Sequence, residues 1–189
     1  TDQELYEKIV DRYESKKSNE DLFIMSISMQ NHGGYTEKYD NFDEKARMLG
    51  INYPDVNQYL SLIHESDSAL EYLISYFEKV DDPVEIVFFG DHQPSLSSSF
   101  YPYLNGKGLG GLTLSELENL YTVPFFIWTN YDSEKENVEL TSLNYLSTLA
   151  LERAGITLPA YNQFLADMME EIPAVNSRGF YSKSQGRFL

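Results

Sequence analysis

There is no cysteine anywhere in this chain of 189 residues, which excludes disulfides, thiolate-ligated zinc and cysteine nucleophiles within it. Such an absence is compatible with an extracytoplasmic location without establishing one. Basic residues are also scarce. Lys and Arg number 14 against 30 Asp and Glu, a formal net charge of −16. That balance leaves no basic surface to displace counterions from nucleic acid, and it opposes unaided docking on an anionic membrane. It does favour the attraction of divalent cations. No apolar run approaches the ~20 residues of a membrane span, and no stretch reads as a signal peptide, so no direct membrane insertion by this segment is expected. What is present is a globular share of hydrophobic residues, 42%, in a chain long enough for a sizeable core. The chain opens at Thr1 directly into a helix-like pattern, which suggests a piece of something longer.

Two strand-to-loop junctions have the same construction. The run Ile86-Val87-Phe88-Phe89 ends in Gly90 and is followed by Asp91, His92, Gln93 and Pro94. A short apolar run of β-branched and aromatic residues with a Gly stop reads as a buried strand of a parallel sheet. In open α/β sheets the ligand crevice lies beyond the carboxyl ends of the strands, so Asp91 and His92 fall where chemistry usually sits. An oxygen and a nitrogen donor side by side suit a divalent metal such as Zn²⁺ or Mn²⁺. The plainer alternative is a turn Asp beside a polar loop His. At the other junction, 22–29 is a second apolar run that leads into Gln30-Asn31-His32-Gly33-Gly34-Tyr35. His32 could donate to a phosphate or sulfate oxygen, bind metal, or simply cap loop backbone. Gly33 and Gly34 would let backbone approach a ligand closely.

Periodicity fills in the rest. Residues 2–17 form an amphipathic helix with Leu5, Ile9, Tyr13 and Val10 on its apolar side. Residues 36–52 read as a long, functional loop. Residues 55–79 carry the clearest helix signal, with Val56, Tyr59, Leu60, Ile63, Leu70, Leu73, Ile74 and Phe77 at three-and-four spacing. Asp67 lies on the Leu60–Ile74 line and is expected to face inward as a structural carboxylate held by backbone N–H groups. His64 lies at the edge of that stripe, with no catalytic role. A strand at 22–29, a helix at 55–79 and a strand at 84–89 make a βαβ unit, which favours parallel strands and puts both His-bearing turns at one sheet edge. The Ser-, Gly- and Tyr-rich 95–112 reads as a mobile lid-like loop. A short helix at 114–121, a strand at 123–129, helices at 142–154 and 160–171, and a C-terminal hairpin or edge strand over 178–189 complete the chain. No boundary divides it, so 1–189 reads as a single portion of one α/β domain.

Taken together, Met29-Gln30-Asn31-His32-Gly33-Gly34-Tyr35, the helix segment Ser66-Asp67-Ser68-Ala69-Leu70 with Tyr59, the Gly90-Asp91-His92 turn and Val123-Pro124-Phe125-Phe126-Ile127 resemble the lipoteichoic acid synthase family. That family belongs to the sulfatase and alkaline phosphatase superfamily, and the resemblance spans roughly residues 20–155. It implies a three-layer α/β/α sandwich with a mostly parallel central sheet, of which this chain is the C-terminal portion. It also implies Asp91 and His92 as metal ligands and His32, with Gly33 and Gly34, at the phosphoglycerol group. The expected metal is Mn²⁺, with Mg²⁺ or Zn²⁺ as alternatives. Such a family places a further acidic ligand and a Thr nucleophile upstream, and no catalytic nucleophile is found in these residues. The chain is therefore expected to be inactive alone.

The implied parent is a phosphoglycerol transferase at the extracellular face of a bacterial membrane, anchored through helices outside these residues. It moves glycerol phosphate from a phosphatidylglycerol-like lipid to a glycan or polymer acceptor. Two other readings stay open: a sulfatase or phosphodiesterase of the same superfamily, and a non-catalytic ligand-binding domain on that fold.

Overall fold

The computed structural model describes residues 1–37 and 39–189. The chain falls into two compact units, Thr1–Asp81 with Asp91–Thr122, and Asp82–Gly90 with Val123–Leu189.

The first unit is helical. Helix α1, Asp2–Glu14, begins under a capping box in which Thr1 accepts from the Glu4 N–H and the Glu4 side chain reaches back to Thr1. Its buried residues are Asp2, Tyr6 and Val10, so the inward stripe is rotated from the expected Leu5 and Ile9, which are half-buried. Helix α2, Pro54–Phe77, starts with Pro in its first turn and Asp55 beside it, both suited to a helix N-terminus. The two helices pack through aromatic edges. The Tyr13 ring meets Phe77 at 5.2 Å, and the Tyr76 hydroxyl donates to Glu14 at 3.0 Å.

Helix α2 buries polar residues as well as apolar ones, and these hold the 36–52 stretch. Ser61 Oγ accepts from the N–H groups of Lys45 and Ala46, Asn57 accepts from the Met48 N–H, and Gln58 donates to the Glu37 carbonyl. The long loop is therefore pinned along the helix; residue 38 of it lies outside the described residues. The 95–112 stretch, expected as a mobile loop, contains helix α3, Phe100–Asn105, closed by Gly106 at φ +71°. It is tied to the start of α2 by the Ser97 N–H, which donates to Asp55 at 2.7 Å, and by the Phe100 ring on Tyr53. A short helix α4 follows, Leu114–Asn119, capped by Thr113 and Glu116.

The second unit holds the sheets. Strand β1, Glu85–Phe89, pairs with β2, Phe125–Thr129, in antiparallel register from Glu85↔Thr129 to Phe89↔Phe125, with the Phe88 and Phe126 rings stacked at 5.3 Å. Helices α5, Leu146–Arg153, and α6, Ala160–Glu171, pack together. Buried Thr148 and Asn162 are joined by a 3.0 Å hydrogen bond, and the Tyr145 hydroxyl donates to the Ile172 carbonyl at 2.6 Å. Strands β3, Ala174–Asn176, β4, Gly179–Ser182, and β5, Arg187–Phe188, form an antiparallel meander, in keeping with the expected terminal hairpin.

The described residues thus form a mixed α/β structure with small antiparallel sheets, not the mostly parallel central sheet read from the βαβ spacing. The cause lies at 22–29. These residues lie in no strand, and 23–29 are exposed throughout, Phe23 at 91%. An apolar segment becomes a central strand only when neighbours cover both faces and pair both edges. Without a strand beside 22–29 there is no parallel ladder for the crossover to complete.

Candidate functional site

The turn at 29–35 is built by side chains folded inward on both sides of an outward His32. The His32 N–H donates to the Met29 carbonyl at 3.2 Å, which closes the turn. Before it, Gln30 accepts from the Asp2 N–H at 3.0 Å and donates to Ser66 Oγ at 3.1 Å, and Asn31 donates to the same Ser66 Oγ at 2.8 Å. After it, buried Tyr35 donates its hydroxyl to the Asn31 carbonyl at 2.6 Å and sets its ring against Tyr59 at 5.6 Å. Burial, with Tyr59 alongside, pushes the Tyr35 phenol above its ordinary pKa, so it stays a neutral donor. His32, Gly33 and Gly34 are exposed. Gly34 sits at φ +103°, where an L side chain is strained, and a Cβ on either Gly33 or Gly34 would meet nothing within 4 Å. The backbone at this turn has open space beside it.

The second turn follows β1. A Cβ at Gly90 would lie 3.1 Å from the Val123 Cβ, and the Gly90 N–H donates to the Pro124 carbonyl at 3.1 Å. A side chain there would press on Val123, which would have to give by a few tenths of an ångström. Asp91 and His92 then turn outward, their side chains 75% and 65% exposed. Asp91 Oδ1 accepts from the His92 N–H at 2.9 Å, and His92 Nδ1 lies 2.9 Å from the Gln93 carbonyl. A ring nitrogen facing a carbonyl must be the protonated one, which leaves the Nε2 lone pair for a ligand. Asp91 Oδ2 stands 3.6 Å from that Nε2. The pair thus offers one hard oxygen and one imidazole nitrogen side by side, a donor set that fits Mn²⁺, Mg²⁺ or Zn²⁺. Among the described residues no group of three or more His, Asp or Glu converges on a metal position. Asp91 and His92 are the two such donors that this turn brings side by side.

Placement differs from expectation on α2. Asp67 is exposed, not inward, and Ser66 takes the inward role. Burial along the helix runs through Ser61, Ala69, Leu73 and Phe77, and Ser66 stands one turn before Ala69 on that stripe. His64 is exposed. His32, Asp91 and His92 all belong to the first unit. Asp2, Ser66 and Tyr35 escape sequence reasoning as parts of the turn. No apolar pattern marks Ser66, since the same buried side of α2 also carries Asn57, Gln58 and Ser61.

A sulfatase family model matches residues 1–156. The chain belongs to the sulfatase family. The matched region takes in both turns and leaves out α6 and the β3–β5 meander. A structural match is the Streptococcus pyogenes phosphoglycerol transferase GacH in complex with sn-glycerol-1-phosphate, with a TM-score of 0.70 and 22% identity, covering 94% of this chain and 43% of that one. Two proteins of Rhizobium meliloti (strain 1021) are similar in sequence. One, named for cyclic beta-1,2-glucan modification, is 24% identical over 157 residues, 79% of this chain and 24% of its own. The other, the capsular polysaccharide biosynthesis protein RkpI, is 34% identical over 103 residues, 54% of this chain and 18% of its own. The chain spans about a quarter or less of these relatives and under half of GacH. No helix among the described residues is long and apolar enough to cross a membrane.

Proposed function

We propose that this chain is the C-terminal part of the catalytic domain of a metal-dependent phosphoglycerol transferase of the lipoteichoic acid synthase type. The longer polypeptide would move glycerol phosphate from a phosphatidylglycerol-like lipid to a glycan or polymer acceptor at the outer face of a bacterial membrane. The observation that carries this reading is the fold match to a phosphoglycerol transferase over 94% of the chain, in a sulfatase-family sequence bearing both turns. The names of the two Rhizobium relatives, concerned with glucan and capsular polysaccharide, favour a glycan acceptor. The mostly parallel sandwich belongs to the same reading. It forms when strands from outside these residues cover 22–29.

Asp91 and His92 would hold the divalent metal, Mn²⁺ foremost, together with an acidic residue and a Thr nucleophile supplied from elsewhere in the polypeptide. When bound, such an ion supplies Lewis-acid stabilisation of phosphoryl oxygens. The chain's own residues do the rest. His92 presents Nε2 because Nδ1 is spent on the Gln93 carbonyl. His32 donates to a head-group phosphate oxygen and fixes its orientation. Gly33 and Gly34, with open space beside them, let that phosphate lie against the backbone.

The test is product analysis with the longer polypeptide, Mn²⁺ and phosphatidylglycerol labelled in its glycerol head group. Release of diacylglycerol with label passing to an acceptor is expected. Sulfate release from sulfate esters with no action on phosphatidylglycerol would replace this reading with sulfate-ester hydrolysis, which the family description also accommodates.

A further inference from the structure

His32 has little of its own to hold it in place. Its imidazole makes no hydrogen bond among the described residues, and its backbone makes one, to Met29. The chain before it, 23–29, is exposed. The first firm anchorage is Ser66 Oγ, which receives Gln30 at 3.1 Å and Asn31 at 2.8 Å and donates its own proton to Asp2 Oδ2 at 2.5 Å. Asp2 is only 2% exposed, and a carboxylate so buried makes a strong, charge-assisted acceptor. Asp2 Oδ1 and Asn31 Oδ1 are buried without a hydrogen-bond partner among the described residues. Gln30 keeps two other contacts, the Asp2 N–H at 3.0 Å and the Leu62 carbonyl at 3.4 Å, but loss of the Ser66 hydroxyl strips Asp2 Oδ2 of its donor and the Asn31 amide of its acceptor.

We infer that Ser66 is a positioning residue for His32, the hydroxyl that ties both Gln30 and Asn31 to the Asp2 carboxyl on α1, beside the direct Asp2 N–H bond to Gln30, and so sets where the imidazole meets the substrate phosphate. The inference rests on the phosphoglycerol transferase reading for His32's partner. It assigns to an α2 residue a role that acts only through His32.

A double-mutant cycle in the longer polypeptide tests it, with head-group transfer from phosphatidylglycerol as readout. Ser66→Ala should raise KM for the lipid about tenfold, the equivalent of one hydrogen bond to a charged group, with kcat changed far less. Ser66→Thr, which keeps the hydroxyl, should restore most of it. In the His32→Ala background, Ser66→Ala should cause almost no further loss, because two residues acting through one contact are not additive. If Ser66→Ala does not fold, Asp2→Asn, which keeps shape and drops the charge, takes the same cycle with a severalfold effect expected. Amide hydrogen exchange of the longer polypeptide should speed up at 30–35 in Ser66→Ala while β1 and β2 are unchanged. Full additivity with His32→Ala, failure of Thr to rescue, or unchanged exchange at 30–35 would overturn the inference and leave the proposed function standing. A His32→Ala enzyme with unaltered KM and kcat would remove His32 from the site and overturn both assignments at that residue.

Discussion

Gly90 and Gly179 are glycines because neighbouring atoms occupy the place of a side chain. At Gly90 the obstacle is the half-buried Val123 side chain, 3.1 Å from a would-be Cβ; at Gly179 it is the Leu189 carbonyl oxygen at 2.0 Å. A side chain can give by a few tenths of an ångström, whereas backbone at 2.0 Å must be displaced. Gly90→Ala should therefore cost about 1 kcal/mol and Gly179→Ala about 2–3 kcal/mol in urea unfolding. Equal costs would contradict the difference in obstacle. The first of these glycines was legible in the sequence as a strand stop before Asp91-His92, and the outward pair was legible too. Ser66 was not. The choice between Ser66 and its neighbour Asp67 is a question of helix phase, and phase drifts over a 24-residue helix whose buried side also includes Asn57, Gln58 and Ser61. A hydrophobicity pattern cannot see polar residues that are buried because they hold a loop.

Helices α1 and α2 show how an element pair acquires a pH dependence. Tyr76 is held to Glu14, and burial, then that hydrogen bond, pushes its phenol up to about 12. A raised folded-state value means the neutral phenol is the form that stabilises the pair. That stabilisation is complete below the ordinary tyrosine value of ~10 and is lost as pH rises from there through about 12. Thermal unfolding should show Tm falling over that range, with the fall reduced in Tyr76→Phe. An identical decline in wild type and Tyr76→Phe would place its cause in another group. Both helices, like α6, were legible because their three-and-four spacing needs no partner outside the helix to be seen. The sheet was not, because pairing direction depends on which strand lies alongside. The β1 and β2 segments read correctly as strands, yet nothing in either reveals that they run antiparallel.

At the scale of the whole molecule, the unusual feature is 22–29. Phe23, Met25, Ile27 and Met29 are each more than half exposed, in a chain that spans 43% of its structural neighbour. Exposed apolar segments invite association. The 189-residue chain should bind a hydrophobic dye and self-associate with rising concentration. Ile27→Lys should suppress both while shifting its stability by less than about 0.5 kcal/mol, as a surface substitution does. In the longer polypeptide, where we propose that strands cover this segment, the same substitution should cost about 2–3 kcal/mol. Equal, small effects in both would deny 22–29 a place inside a sheet.

The family, both turns and their residues were legible because glycine, histidine and aspartate at strand ends leave a pattern in the sequence itself. The further donors that we propose for the site leave none here, since they would lie outside these residues. The central claim, that Asp91 and His92 bind a divalent metal on which transfer depends, is tested most directly by the metal content of the purified longer polypeptide beside His92→Ala. The account predicts a bound divalent metal in the wild type and loss of both metal and turnover in the variant. Unchanged metal stoichiometry and rate in His92→Ala would contradict it.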